Sequence, residues 1–210
     1  MRVFHFGSMV SAALAAGVAL GCAAGTSGPT ERPPSQLNIL HVATTAPALY
    51  NTDTVMVCVK GFECEGSIFF DDGLGGPGEE FARLRLDSPS LLKRPDGTII
   101  AEGDTVRITM RVVRADSALF EFEPAGLRFD PDFPAQLKVE YGECGEDIPE
   151  DFNGDGIPGD TGDIAIERML SLWRQEKPGD PFVKVGTAQS EELNEVEADL
   201  TGFSRYALAY

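Results

Sequence analysis

Apolar and polar residues alternate in short runs along most of the chain after residue 37. In the clearest run, residues 106–112, the even-numbered positions are apolar and the odd-numbered ones are Arg107, Thr109 and Arg111. Alternation with a period of two places apolar side chains on one face of a β-strand and polar side chains on the other. The pattern therefore predicts strands in this run and in the runs 55–59, 67–70, 82–86, 119–122, 137–141, 182–185, 196–200 and 206–210.

Turn-forming residues separate these runs, as in Arg94-Pro95-Asp96-Gly97 and Lys177-Pro178-Gly179-Asp180. Many short strands at this spacing are typical of antiparallel sheets packed face to face. We therefore expect an all-β fold, an antiparallel β-sandwich, formed by a single domain over residues 37–210. A chain of this length is sufficient to bury a substantial core.

The segment 163–175 fits two patterns. Its apolar positions 166, 169, 170 and 173 recur at helical spacing after Asp163, a candidate helix cap. Positions 164, 166, 170 and 172 fit one face of a strand equally well. We favour a strand, which would form the first arm of a hairpin with 182–185 as the second arm.

The chain begins with a segment typical of bacterial export leaders. Arg2 provides a basic start, and residues 9–20 form an apolar, alanine-rich stretch that is too short to span a bilayer. The run Ala19-Leu20-Gly21-Cys22 resembles a bacterial lipobox, in which a signal peptidase cuts before the cysteine and the cysteine thiol carries a diacylglycerol. We expect residues 1–21 to be a lipoprotein signal peptide and Cys22 to be the lipidation site. Ordinary cleavage nearby is the alternative, because leucine usually stands three positions before the cysteine.

This leader implies a location in the bacterial cell envelope. Ala23 follows Cys22 where an aspartate would favour the inner membrane, so we expect an outer-membrane lipoprotein. Without lipidation, the protein would be periplasmic or secreted. Residues 22–36 contain many Gly, Pro, Ser and Thr residues and little that is apolar, which predicts a flexible tether.

The charge of the chain limits its partners. The formal net charge is −17, and removal of Arg2 with the leader leaves −18. Such a protein repels nucleic acid and anionic lipid headgroups, so we expect no nucleic-acid partner. The expected partners are the membrane, through the lipid anchor, and an envelope protein or polysaccharide.

Three cysteines follow Cys22 in a protein expected to enter an oxidising compartment. Cys58 and Cys64 flank a candidate hairpin turn, so we favour a disulfide between them, with Cys144 left unpaired. A bond from Cys144 to either of the others is the alternative. A zinc site is disfavoured, because His41 is the only histidine after the leader.

Several short runs follow one another in a set order in the C-terminal half: 119–129, 133–141, 170–173, 182–185 and 203–208. In this order they resemble ZU-five-like domains, the module shared by zonula occludens proteins, netrin receptors and ankyrins. The resemblance covers about residues 106–208. It implies a β-sandwich in which Pro124 and Gly126 turn a corner between strands.

Some members of this family cut their own backbone at a His-Phe-Ser sequence. The serine hydroxyl attacks the preceding carbonyl group while the histidine moves a proton. The matching residues here are Gly202, Phe203 and Ser204. Because Gly202 has no side chain that could act as a base, we predict no self-cleavage.

An acidic segment resembles the first half of an EF-hand or dockerin calcium loop. Side chains with oxygen atoms that can bind calcium, Asp151, Asn153 and Asp155, stand at alternating positions, and Gly156 permits a sharp turn. The twelfth position is Gly162 instead of a bidentate acid, and there is no second copy of the loop. Bound calcium and a solvated acidic insertion both remain open. The candidate ligands are Asp151, Asn153, Asp155, Ile157, Asp160 and Asp163.

No catalytic residues are predicted. The chain has no credible Ser-His-Asp or Cys-His set, and its paired carboxylates lie in glycine-rich loops. The favoured function is a lipid-anchored, non-catalytic binding or structural module of the cell envelope. The alternative is a calcium-dependent adhesion or carbohydrate-associated module that uses residues 151–163. Candidate binding loops are 71–80 and 147–163, because loops on a rigid sandwich carry most recognition.

Overall fold

The computed structural model of the protein describes residues 30–210. This part contains fourteen strands, one α-helix, and short 3₁₀ turns at Pro34–Gln36 and Glu191–Leu193. The elements in chain order are β1 (Glu31–Arg32), β2 (Asp53–Val59), β3 (Cys64–Asp71), β4 (Pro77–Leu86), β5 (Leu91–Lys93), β6 (Thr105–Val112), β7 (Leu119–Glu123), β8 (Arg128–Phe129), β9 (Ala135–Glu140), α1 (Thr161–Glu167), β10 (Ser171–Gln175), β11 (Phe182–Lys184), β12 (Thr187–Ser190), β13 (Glu195–Leu200) and β14 (Arg205–Ala209).

The strands form an antiparallel β-sandwich, as the alternating pattern predicts. A seven-stranded sheet has the order β1-β11-β10-β14-β7-β6-β2, and a five-stranded sheet has the order β12-β13-β9-β4-β3. Strands β5 and β8 form a small third sheet. The edge strands β2 and β3 contact each other, and β10 contacts β12 and β13 towards the opposite edge, so corresponding edges of the two large sheets are aligned.

The core lies between the two large sheets and is rich in aromatic rings. On β6, Val106, Ile108, Met110 and Val112 are at most 4% exposed, whereas Arg107 faces solvent, as their alternation predicts. Burial of such side chains is the main stabilising contribution to a sandwich of this kind. Aromatic pairs with ring centroids 4.9 to 5.7 Å apart are Phe70–Phe81, Phe81–Phe120, Phe122–Phe203, Phe122–Tyr206 and Phe129–Phe203.

The corner predicted at Pro124 and Gly126 joins β7 to β8. Gly126 has φ +85°, a left-handed conformation that glycine adopts without strain. Phe122 and Phe129 lie on either side of the corner and both pack against Phe203. Because of this corner, β7 and β8 both pack against the Phe203 side chain in the core.

The prediction of a strand at residues 163–167 is wrong. Residues Thr161–Glu167 form α1, and Asp160, not Asp163, is its N-cap. The Asp160 carboxylate accepts hydrogen bonds from the N–H groups of Gly162 and Asp163, and Asp163 bonds back to the Asp160 N–H, which completes a capping box. The second part of the prediction is correct, because Trp173, Arg174 and Gln175 of β10 pair with β11 as a hairpin.

The predicted boundary between the tether and the domain, after residue 36, is also wrong. Glu31 and Arg32, assigned to a flexible segment 22–36, pair with Val183 and Phe182 of β11. Leu37, at the predicted start of the domain, is buried with Trp173, Phe182, Ala207 and Ala209 on the outer face of the seven-stranded sheet. Low local hydrophobicity did not prevent ordering, because strand pairing and the following Leu37 fix these residues to the sheet.

Cys58 and Cys64 form a disulfide with a Cα–Cα distance of 5.5 Å, which is the pairing favoured from the sequence. The bond closes the turn between β2 and β3. The buried Cys144 makes no disulfide within residues 30–210.

Candidate functional site

The hairpin between β3 and β4 forms one wall of a cleft in the part of the chain that the structure describes. The Asp72 carboxylate accepts hydrogen bonds from the N–H groups of Leu74 and Gly76 at 2.7 and 2.9 Å. These bonds, led by the one from Gly76, hold the pKa of Asp72 below its ordinary value. The Asp71 carboxylate fixes Gly73 in the same way. The tip is therefore locally ordered, and it leaves Leu74 92% exposed to solvent.

We call this cleft the acidic cleft; its volume is about 500 Å³. Pro47, Ala48 and Phe70 supply its apolar surface. The segment that contains Ala48 lies beside β3, because the Asp71 N–H donates to the Ala48 carbonyl oxygen at 2.8 Å. The acidic lining residues are Asp71, Asp72, Glu79 and Glu143.

Glu143 links the two loops that the sequence singles out. Partial burial raises its pKa above the ordinary value of 4.5, and the charges of Glu79 and Glu150 raise it further. Glu79 lies near the end of the predicted loop 71–80, within β4, and lines the same cleft as Glu143. The Glu150 N–H donates to the Cys144 carbonyl oxygen at 2.7 Å, so the start of the loop 147–163 lies next to Glu143. The end of the first loop and the start of the second therefore lie in one acidic region.

The second loop is built around Asp151, which is 1% exposed. Its carboxylate accepts hydrogen bonds from the N–H groups of Gly154, Asp155 and Gly156 at 2.8, 3.1 and 2.9 Å. Gly154 and Gly156 have φ +74° and +84°, so the chain makes the sharp turn expected of a calcium loop. A buried carboxylate with three N–H donors specifies the shape of this loop.

Asp163 closes the loop from the other side. Its carboxylate accepts hydrogen bonds from Phe152, Asn153 and Asp160 N–H groups at 2.8, 3.0 and 3.2 Å. Asp163 is 1% exposed, so it serves the loop and the capping box of α1 together. The loop is thus continuous with the start of the helix.

The remaining candidate ligands face solvent near the turn. The Asn153 amide donates to the carboxylates of Asp155 and Asp160 at 3.3 Å each, which draws the two acids towards one amide. The Ile157 N–H donates to Asp155 at 2.9 Å, and the Ile157 side chain is 61% exposed. Within residues 30–210, no three His, Cys, Asp or Glu side chains are grouped so as to hold a metal ion. Two of the predicted ligands are of another kind, the Asn153 amide and the Ile157 carbonyl group.

Three residues with nucleophilic or basic side chains, His41, Cys144 and Ser204, have contacts or burial of their own. The Nδ1 atom of His41 lies 3.0 Å from the Asp116 carbonyl oxygen. Burial strongly raises the pKa of the Cys144 thiol, with a further contribution from Glu143, so this thiol is protonated at neutral pH. The Ser204 hydroxyl accepts a hydrogen bond from Arg174 Nε at 3.0 Å.

Glu143, Pro47 and Ala48 are site residues that the sequence did not predict. Glu143 stands alone between Gly142 and Cys144, and Pro47-Ala48 lies far from the other lining residues in sequence. Only the fold brings them together, so the local pattern carried no signal for them.

Comparison with family models, with curated proteins and with solved structures finds no match for this chain. The predicted signal peptide, the lipidation site Cys22 and most of the tether lie outside the described residues. None of the helices in residues 30–210 has the length and apolar character needed to cross a bilayer.

Proposed function

We propose that the protein is a lipid-anchored, non-catalytic module of the bacterial cell envelope that binds its ligand through the loops around the acidic cleft. The observation that carries this proposal is the cleft that residues of loop 71–80 and Glu143 line together, beside an apolar surface that includes Phe70. Loop 147–163 starts next to it, because the Glu150 N–H donates to the Cys144 carbonyl oxygen at 2.7 Å. A concave surface with apolar and convergent polar groups is the usual form of a binding site.

The resemblance to ZU-five-like domains is consistent with this role and remains part of the proposal. The runs that carry it include β7, the corner at Gly126, β9, the β10–β11 hairpin and β14. Two of the side chains in these runs, Phe122 and Phe129, pack on a third, Phe203, in the core. The runs therefore support a common packing arrangement and carry no ligand specificity by themselves.

The anchor and the ligand require separate tests. Intact mass measurement of the protein from its native cells tests the anchor; a chain that begins at Cys22 with added acyl mass is expected.

Co-sedimentation with isolated envelope polysaccharide tests the binding module. Glu79→Gln combined with Leu74→Ala should weaken binding several-fold, whereas Glu65→Gln, an exposed acid on the outer face of the five-stranded sheet, should not. Equal binding by both variants would place the ligand elsewhere.

A calcium-dependent adhesion or carbohydrate-associated module is the second candidate. The turn around Asp151, with Gly154 and Gly156 at positive φ, favours it because a calcium loop requires such a turn. The same co-sedimentation decides between the candidates. Binding that requires calcium and disappears in Asp155→Ala supports the second; binding that is unaffected by a chelator supports the first.

A further inference from the structure

Strand β2 ends the seven-stranded sheet and pairs on one side only, with β6. The Val112 N–H donates to the Thr52 carbonyl oxygen at 2.9 Å. The Lys60 N–H donates to the Asp104 carbonyl oxygen at the same distance. Because bonded and non-bonded pairs alternate in an antiparallel ladder, the even-numbered residues of β2 bond to β6. The N–H and C=O groups of the odd-numbered residues therefore point to the open edge.

Two residues in the middle of this edge keep their outward groups unbonded within residues 30–210. Near the start of β2, the Asn51 amide donates to the Asp53 carbonyl oxygen at 2.9 Å. At its end, the Phe62 N–H donates to the Val59 carbonyl oxygen at 3.1 Å. Between these two bonds lies a short stretch with unpaired N–H and C=O groups. The residues that present them are Val55 and Val57.

The same edge exposes apolar side chains. Val55 and Val57 are 46% and 65% exposed on the outer face of the sheet. Tyr50 and Phe62, near the two ends of β2, are 49% and 69% exposed. Four of the ten large apolar side chains that are exposed in residues 30–210 therefore lie along β2. Exposed apolar side chains beside unpaired backbone groups favour pairing with another strand.

The other edge strands of the two large sheets differ from β2. Strand β3 is covered by residues 48–51, because the Tyr50 N–H donates to the Phe69 carbonyl oxygen at 2.8 Å. The Asp71 N–H donates to the Ala48 carbonyl oxygen, also at 2.8 Å. Strands β1 and β12 have two and four residues, and none of these exposes a large apolar side chain. An open backbone edge and an exposed apolar surface thus coincide at β2.

A second copy of β2 complements this edge by symmetry. In an antiparallel pair centred on Met56, Val55 of each copy lies opposite Val57 of the other. Hydrogen bonds between these residues use every unpaired N–H and C=O group of both valines in both copies. The facing valines also form β-branched pairs on the outer face. A register centred on either valine would instead pair the other with Asp53 or Val59, whose carbonyl oxygens already accept hydrogen bonds.

We propose that two copies of the protein associate through antiparallel pairing of β2 with β2, centred on Met56, so that their seven-stranded sheets form one continuous sheet. The contact is small, which places it among the weaker protein interfaces. Each copy has a formal net charge of −17, so the two copies repel each other. Salt shortens the range of this repulsion, to about 8 Å at physiological ionic strength. Association should therefore strengthen as the salt concentration rises.

Sedimentation equilibrium of the full chain tests the association, in density-matched detergent if Cys22 carries lipid. Val57→Lys should raise the dissociation constant of the dimer at least several-fold, because a charged side chain on an edge strand opposes pairing. Leu193→Lys makes the same change in net charge at a side chain that is 63% exposed beside β12 and β13, and it should have no such effect.

Three results of the sedimentation experiment overturn the proposal. The first is a chain that remains monomeric at submillimolar concentrations. The second is equal weakening of the dimer by Val57→Lys and Leu193→Lys, with thermal unfolding used to confirm that both variants fold. The third is a dissociation constant that rises with salt, since this would identify an interface held by opposite charges.

Amide hydrogen exchange, followed by NMR on the native chain, locates the interface without a substitution. In the monomer, the N–H groups of Val55 and Val57 are unbonded and should exchange fast, whereas those of Thr54 and Met56 bond to β6 and should be protected. At concentrations that favour the dimer, exchange at Val55 and Val57 should slow several-fold. A dimer in which these two amides exchange as fast as in the monomer uses another surface and overturns the proposal. Neither experiment depends on the ligand of the acidic cleft.

Discussion

The guanidinium carbon of Arg32 lies 5.3 Å from the centroid of the Trp173 ring. The ring is 2% exposed, and its indole N–H donates to the Ala209 carbonyl oxygen at 3.2 Å. Leu37 and Phe182 belong to the same buried cluster. Residues 31–37 therefore form a cover over the outer face of the seven-stranded sheet, and this cover contacts the only tryptophan of the chain.

The first prediction concerns this cover. Leu37→Ala should lower the free energy of unfolding by about 2 to 4 kcal/mol, because it leaves a cavity beside Trp173. It should also shift tryptophan emission to longer wavelength and increase quenching by acrylamide. Chemical denaturation followed by fluorescence measures both effects. Gln36→Ala, at an exposed neighbouring position, is the control. Unchanged emission in Leu37→Ala would show that the cover is not packed in solution.

The second prediction concerns the disulfide. Replacement of both Cys58 and Cys64 by serine should lower the free energy of unfolding by about 2 kcal/mol, the loop-entropy value for so short a loop. Thiol titration of the native protein should detect no reactive cysteine, and denaturation without reductant should expose one, Cys144, if Cys22 carries lipid. Three thiols after denaturation, Cys58, Cys64 and Cys144, would contradict the disulfide, whereas two would show that Cys22 carries no lipid.

The strands were predictable because each buries one face and exposes the other. The alternation in β6 follows directly from its position between core and solvent. The elements that the sequence did not predict correctly were missed for different reasons. Strands β1 and β8 have two residues each, too few to show a period, and α1 depends on the side-chain hydrogen bonds of Asp160 and Asp163 more than on apolar spacing. Glu143 joined the site only through folding, since its neighbours Glu79 and Ala48 are distant in sequence.

The third prediction separates the structural and metal-binding roles of the acidic loop. Without calcium, Asp151→Asn should lower the free energy of unfolding by about 1 to 3 kcal/mol, because a buried carboxylate loses charged hydrogen bonds to backbone N–H groups. Asp155 is exposed, and Asp155→Asn should have an effect of less than about 0.5 kcal/mol. If calcium binds, millimolar calcium should raise the melting temperature of the native chain but of neither variant. Calorimetric titration without heat at that concentration would exclude the metal.

The fourth prediction follows from the raised pKa of Glu143. An acid whose pKa is higher in the folded state than in the unfolded state favours folding at low pH. Its contribution is fully present below the ordinary value of 4.5 and is lost as the pH rises through the raised pKa. Glu143→Gln should therefore stabilise the protein at pH 7 and have no stabilising effect below pH 4.5. Glu192→Gln, an exposed acid, corrects for the change in net charge, and an equal pH dependence of the two variants would contradict the prediction.

The last prediction concerns the sequence Gly202-Phe203-Ser204. A Cβ atom at position 202 would lie 2.9 Å from the Leu127 carbonyl oxygen and 3.0 Å from a guanidinium nitrogen of Arg128. The Leu127 oxygen is fixed, since it accepts the Phe203 N–H at 2.9 Å. The absence of a side chain at Gly202 is thus a packing requirement. Gly202→His would introduce the residue type that self-cleaving ZU-five-like domains use only by displacing this part of the backbone.

We therefore expect Gly202→His to remain uncut at the Phe203–Ser204 peptide and to be destabilised by about 1 to 3 kcal/mol, as is usual for overpacking. Gly202→Ala introduces the same Cβ atom without an imidazole, so it should be destabilised to a similar degree. Intact mass and thermal unfolding of both variants measure the two effects. Cleavage in the histidine variant alone would show that the backbone at Phe203 already has the geometry for the reaction and lacks only the base, whereas cleavage of the native chain would require a proton acceptor other than residue 202.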